Sequence, residues 1–164
     1  AERTGGGGAH HLRAEHARST MIDVPDGQLV VIPEVNGDTL ELIVEMVPAH
    51  DGCCSIVVRR SPDGAEHTQI TYDAALRQVI VNRTQSSQDL TTDRNLHAAP
   101  LTLGPDEPLR LHVFLDRSVL EVFVNERVSI TSRIYPSRTD SLGVALLADR
   151  GEARLLSLDA WQIR

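Results

Sequence analysis

Residues 109–134 read Leu-Arg-Leu-His-Val-Phe-Leu-Asp-Arg-Ser-Val-Leu-Glu-Val-Phe-Val-Asn-Glu-Arg-Val-Ser-Ile-Thr-Ser-Arg-Ile, three β-rich runs parted by two turn signals. Side chains alternate faces along a strand, so the register of each turn decides what is buried together. A two-residue turn at Arg117-Ser118 pairs Asp116 with Val119, Phe114 with Glu121 and His112 with Phe123. Leu111, Val113, Leu115, Leu120, Val122 and Val124 then share one aliphatic face, which predicts the core side. The second turn has two options. A two-residue turn at Asn125-Glu126 sets Arg127, Ser129 and Thr131 on the core face. A three-residue turn, Asn125 to Arg127, sets Val128 and Ile130 there instead. An unpaired buried charge costs several kcal/mol, so the three-residue turn is expected. It places Ser129, Thr131 and Arg133 beside Asp116 and Glu121 on the opposite face.

The pattern continues outward from this stretch. Leu40, Leu42, Val44 and Met46 alternate with Glu41, Ile43, Glu45 and Val47, and Cys54, Ile56 and Val58 alternate with Ser55, Val57 and Arg59. Turn text separates the runs at Asn36-Gly37-Asp38, Asp51-Gly52, Pro62-Asp63-Gly64 and Gly104-Pro105-Asp106. No helical period is sustained. About ten short strands with regular turns predict an all-β fold: a two-sheet antiparallel β-sandwich of the jelly-roll or concanavalin-like kind. Residues 1–20 hold the run Gly5 to Gly8 and the histidines His10, His11 and His16, and are expected to be a flexible leader or linker. The sandwich is then expected over residues 21–164.

Bulk properties narrow the function. The 164 residues suffice for one domain with a sizeable core. The net charge of -7 disfavours a phosphate backbone as partner, so no nucleic acid is expected. No apolar run reaches the ~20 residues that span a bilayer, and no membrane partner is expected. The five aromatics, Tyr72, Phe114, Phe123, Tyr135 and Trp161, are too few for a broad stacking platform. Cys53 and Cys54 are strand neighbours pointing to opposite faces, which argues against a mutual disulfide and suggests one buried and one outward thiol. Neither a zinc pattern nor a cofactor motif occurs, so no metal or cofactor is expected.

Asp116, Glu121 and Arg133 gather on one face, within side-chain reach of each other. Three uses are open. The groups can form an ion network, with Glu121 paired to Arg133. They can hydrogen-bond sugar hydroxyls, with Arg59 and Tyr72 as additions, because carboxylates accept from vicinal hydroxyls and arginine donates to oxygens. Or Asp116 and Glu121 can act as the carboxylate pair of a small glycosidase.

Leu-His-Val-Phe-Leu-Asp-Arg-Ser-Val-Leu-Glu-Val-Phe-Val-Asn, followed by Thr-Ser-Arg-Ile-Tyr-Pro, resembles the C-terminal β-sandwich module of glycoside hydrolase family 32, the family of invertases, levanases and inulinases. Val-Val-Arg-Arg-Ser-Pro-Asp-Gly and the closing Leu-Ser-Leu-Asp-Ala-Trp fit the same module, from about Gly37 onward. One departure is Asn82-Arg83-Thr84, where relatives usually have Asp-Arg-Ser. The resemblance implies that catalysis belongs to a separate five-bladed propeller, marked by Trp-Met-Asn-Asp-Pro-Asn-Gly, Arg-Asp-Pro and Glu-Cys motifs. None of these occurs in this sequence. The resemblance therefore implies no catalytic residue in this chain. It implies a non-catalytic carbohydrate-associated module, which binds fructan or fructoside or stabilises a β-propeller catalytic domain. A purely structural interaction module is the remaining alternative. An extracellular or a cytoplasmic location fits, the former more readily.

Overall fold

The computed structural model describes Glu2–Arg3 and residues 12–163. They form β1 (Glu2–Arg3), β2 (Leu12–Val24), β3 (Leu29–Asn36), β4 (Thr39–Val47), β5 (Cys53–Arg60), β6 (Thr68–Asp73), β7 (Gln78–Asn82), β8 (His97–Pro100), β9 (Leu109–Asp116), β10 (Val119–Val124), β11 (Val128–Arg133), β12 (Gly143–Asp149) and β13 (Ala153–Ile163). The strands make two antiparallel sheets, one ordered β1-β2-β13-β4-β9-β10-β11 and the other β3-β12-β5-β6-β7-β8. This is the expected sandwich.

The register of residues 109–134 agrees pair by pair with the sequence reading. Asp116 lies opposite Val119, and Glu121 opposite Phe114. Val124 lies opposite Val128, so the second turn has three residues. Its Asn125 and Glu126 both take positive φ, 48° and 57°. Leu111, Val113, Leu115, Leu120, Val122 and Val124 are buried, and so are Ile56, Ile70, Val79, Val81 and Leu146 of the facing sheet. Each large aliphatic side chain buried this way contributes roughly 1.5–3 kcal/mol.

The sequence reading of residues 1–20 needs correction where the structure describes them. Leu12–Val24 is one strand, paired along β13 from Arg13 opposite Ile163 to Val24 opposite Ala153. The sandwich therefore begins at Leu12 or earlier, not at Met21. Residues 12–20 carry little strand signal because backbone pairing and surface contacts hold them, and of the described side chains from Arg13 to Thr20 only Ala17 packs against the core. Gly5 to Gly8, His10 and His11 lie outside the described residues. Cys53 also differs from expectation. Both thiols are free and buried, Cys53 beneath Arg150, whose Nη2 lies 3.1 Å from its Sγ. Burial pushes the Cys54 thiol up to about 12 and the Cys53 thiol up to about 11.

Buried charges lace the sandwich where packing alone would leave gaps. Arg83, almost wholly buried, donates from Nε to Asn95 O at 2.8 Å and from Nη1 to Arg133 O at 2.7 Å. Its Nη2 donates to His97 Nε2 at 3.2 Å, which leaves His97 Nδ1 to donate to Ser132 Oγ at 2.6 Å. β8 and β11 are edge strands of the two sheets, so these bonds close one side of the sandwich. Glu66 has no exposed surface. It accepts from Ser141 Oγ at 2.5 Å, Ser137 N and Oγ at 2.8 Å each, Arg138 N at 3.1 Å and Gln88 N at 3.0 Å. Burial alone would raise its pKa, but the hydrogen bonds from Ser141, Ser137 and Arg138 outweigh it and hold the carboxyl at about 2.

Two outcomes follow. Arg83→Leu strands the Asn95 and Arg133 carbonyls and should cost about 2–6 kcal/mol in urea unfolding, about 1–3 for each; a loss within about 0.5 kcal/mol would show the clamp to be idle. Glu66 is depressed below its ordinary value of 4.5, so its contribution is full above that pH and fades as pH falls toward 2. Glu66→Gln should be less stable at pH 7 and lose stability less steeply between pH 4.5 and 2 than the parent. Parallel stability–pH curves would contradict this.

Candidate functional site

The outward face of the seven-stranded sheet is built of cross-strand rows. His16, Trp161, Glu41, Phe114, Glu121 and Thr131 stand side by side from β2 to β11. Arg18, Asp159, Ile43, His112, Phe123 and Ser129 form the next row. Thr39, Asp116, Val119 and Arg133 form a shorter one at the β9–β10 turn.

The middle of this face is tightly tied. Glu41 is fully buried although it points away from the core. Arg13 grips it with both ends of its fork, Nε to Oε1 at 3.0 Å and Nη2 to Oε2 at 2.9 Å, and His112 Nε2 lies 2.6 Å from Oε2. Burial works to raise the Glu41 pKa; the bonds from Arg13 and His112 prevail and lower it. Trp161 carries the Arg13 guanidinium 3.9 Å from its ring centre and a parallel His16 ring at 4.8 Å. It is outward-facing packing, not core. His112, Phe114 and Phe123 make an aromatic corner, with ring centres 4.5 Å apart for His112–Phe114 and 6.1 Å for Phe114–Phe123. Phe123 is 41% exposed.

Asp116, Glu121 and Arg133 share this outward face, as the register argument requires. The Glu121–Arg133 pair, one of the open readings, is absent from the structure. Arg133 stands opposite Val119 and Glu121 opposite Thr131, one diagonal step apart, and Arg133 Nη1 instead donates to Ser118 Oγ at 3.3 Å. Neither the Asp116 nor the Glu121 carboxylate has a hydrogen bond or ion pair with any described residue. Asp116 is exposed and Glu121 half-buried. They are diagonal neighbours on one sheet face, not carboxylates set across a cleft.

Arg59 and Tyr72 belong to the other sheet and are not brought to this face. Arg59 is buried, donating from Nε to Ser141 O at 2.7 Å and from Nη1 to Arg117 O at 2.8 Å. Burial lowers its pKa. It braces the turn that carries Asp116. Strict alternation along β5 had set Arg59 outward, but the β5–β12 register shifts between Gly143 and Ala145, and Arg59 takes φ 47°. Tyr72 is core, and its hydroxyl donates to Leu101 O at 2.9 Å. What the sequence reading missed was the aromatic corner and the Arg13–Glu41 pair. The first was visible in the paired positions of His112, Phe114 and Phe123; the second was hidden because Arg13 fell in the supposed leader.

Residues 10–162 match the model of the glycosyl hydrolases family 32 C-terminal domain. The sucrose-6-phosphate hydrolase of Zymomonas mobilis is 31% identical over 158 residues, covering 93% of this chain and 30% of the relative. An extracellular exo-inulinase of Aspergillus awamori is 30% identical over 113 residues, 66% of this chain and 21% of the relative. Among solved structures, fructan 1-exohydrolase IIa from Cichorium intybus superposes with a TM-score of 0.83 at 15% identity, over 93% of this chain and 36% of that one. The Aspergillus awamori exo-inulinase superposes with a TM-score of 0.76 at 23% identity, over 93% of this chain and 29% of that one. These structural likenesses establish the fold. The chain spans about 30% of the length of the first curated relative it matches. By the extent of the family match and its agreement with the two-sheet fold, the chain belongs to the C-terminal domain family of glycoside hydrolase family 32.

Proposed function

We propose that the chain is the non-catalytic accessory module of a fructoside-acting glycoside hydrolase and that it holds fructosyl units on the outward face of its seven-stranded sheet. The observation that carries this is the trio Asp116, Glu121 and Arg133 on one face, with both carboxylates free of protein partners. Free carboxylates accept from vicinal hydroxyls, and Arg133 can donate to sugar oxygens. The exposed Phe123 offers a small apolar surface beside them, suited to a furanose ring. The buried carboxylates Glu41 and Glu66 are engaged, Glu41 by Arg13 and His112 and Glu66 by five donors. That supports a chain that positions substrate for chemistry performed elsewhere. A catalytic propeller is the natural partner, because the matched part is only 30% of the Zymomonas mobilis relative and 21% of the Aspergillus awamori one.

The test is calorimetric titration with fructose. Saturable heat is expected, weakened at least fivefold by Asp116→Ala with an unchanged melting temperature. Fructose heat that is absent, or indifferent to that substitution, would remove the proposed site. The purified chain should also release no fructose from sucrose or inulin. Release abolished by Glu121→Gln would instead make Asp116 and Glu121 a catalytic pair.

A further inference from the structure

The outward face of the six-stranded sheet differs in kind from the face just described. Leu29, Leu147, Ser55, Thr71, Ile80 and Ala98 form one row across all its strands. Val31, Ala145, Val57, Gln69 and Asn82 form the next. Neither row contains a charged side chain. Ser55 and Val57 are 2% exposed although they point away from the core. They form the floor of a trough along β5, made of two adjoining hollows of about 230 and 310 Å³ that share Gln69 and Leu147. Arg60 and Asp149 stand at its ends.

The floor has unspent hydrogen-bonding capacity. Ser55 Oγ and Thr71 Oγ1 are 2.7 Å apart, so one hydroxyl donates to the other and the second hydroxyl hydrogen is free. Gln69 Nε2 donates to both, at 3.1 and 3.2 Å, which leaves its Oε1 as a free acceptor. His67 Nδ1 donates to Gly64 O at 2.9 Å, which leaves Nε2 as a further polar atom at the wall. A free hydroxyl donor beside the Gln69 acceptor, over a floor that includes Val57 and between walls of Leu29 and Leu147, matches the hydroxyls and carbon skeleton of a neutral sugar chain. From Cys53 to Val57 the floor runs about 13 Å at 3.3 Å per residue, longer than a single sugar ring.

We propose that this trough is a second saccharide site, separate from the Asp116–Glu121–Arg133 face, and that it takes a short run of a neutral oligosaccharide. A flat protein surface would leave the floor donor and acceptor unmatched, which disfavours a protein partner. The site stands whether or not fructose binds the opposite face.

The test uses the whole chain carrying Asp116→Ala and Glu121→Ala, titrated with short inulin and levan oligosaccharides. Binding is expected to persist in this background. Adding Gln69→Ala, or separately Thr71→Val, should weaken it at least fivefold while the melting temperature stays within about a degree. Either substitution suffices, since both side chains are partly exposed and neither belongs to the core. No binding in the Asp116→Ala, Glu121→Ala background would overturn the trough even if the parent chain binds sugar, a result that leaves the opposite-face reading intact. Binding indifferent to both trough substitutions would overturn it as well. So would concentration-dependent dimerisation abolished by Gln69→Arg, which would assign the face to a second copy.

Discussion

Burial of one aliphatic face from each sheet fixes the register of every strand, and with it the position of every outward side chain. The row Leu111, Val113, Leu115 can meet Leu120, Val122 and Val124 in only one alignment of β9 and β10. A slip of one residue would exchange those leucines and valines for His112, Asp116 and Glu121, which the core could not accommodate. The polar face is thus a consequence of the core. Asp116, Glu121 and Arg133 are neighbours because the residues between them are needed inside.

Buried charges complete what the core begins. Two sheets packed face to face leave open sides, and this chain closes them with ionic groups whose hydrogen-bond partners are mostly backbone. Arg83 joins the edge strands β8 and β11, Arg59 braces the β9–β10 turn, and Glu66 gathers the 135–141 segment. Desolvating such groups is costly, and a buried ion rarely improves on a hydrophobic replacement of the same shape. Backbone carbonyls and amides in a loop, however, need partners wherever they are buried. One guanidinium or carboxylate satisfies several of them at once, which is why these charges sit at the seams of the sandwich and not in its middle.

The legible parts of the sequence were those where alternation and turn chemistry act together. The 109–134 stretch yielded its strands, both turn lengths and the membership of its polar face, because burying Val128 and Ile130 is so much better than burying Arg127. Three features were not legible, each for a physical reason. Arg59 was placed outward by alternation, and a bulge between the Gly143–Arg60 and Ala145–Val57 pairs turned it inward. Strand β2 lacks an apolar alternation because its outer residues, Arg13, His16 and Arg18, serve Glu41, Trp161 and Asp159 on the sheet surface. Glu41 itself reads as a solvent-facing residue, and only the arrival of Arg13 and His112 from other strands explains its burial. Contacts that depend on distant segments leave no local pattern.

The two outward faces then divide in character. One is charged and aromatic, with free carboxylates near a turn; the other has two uncharged central rows and a trough walled by aliphatics, with Arg60 and Asp149 at its ends. As proposed, the first takes a single sugar ring and the second a chain. The central claim is that this module holds carbohydrate on its sheet faces while the chemistry is done elsewhere. The most direct measurement is amide chemical-shift mapping of the isotopically labelled chain as a short inulin oligosaccharide is added. The account predicts saturable shifts clustered at Asp116, Glu121, Thr131 and Arg133 and at Ser55, Gln69 and Thr71, with the core amides still. Shifts absent throughout, or confined to loops away from both faces, would contradict it.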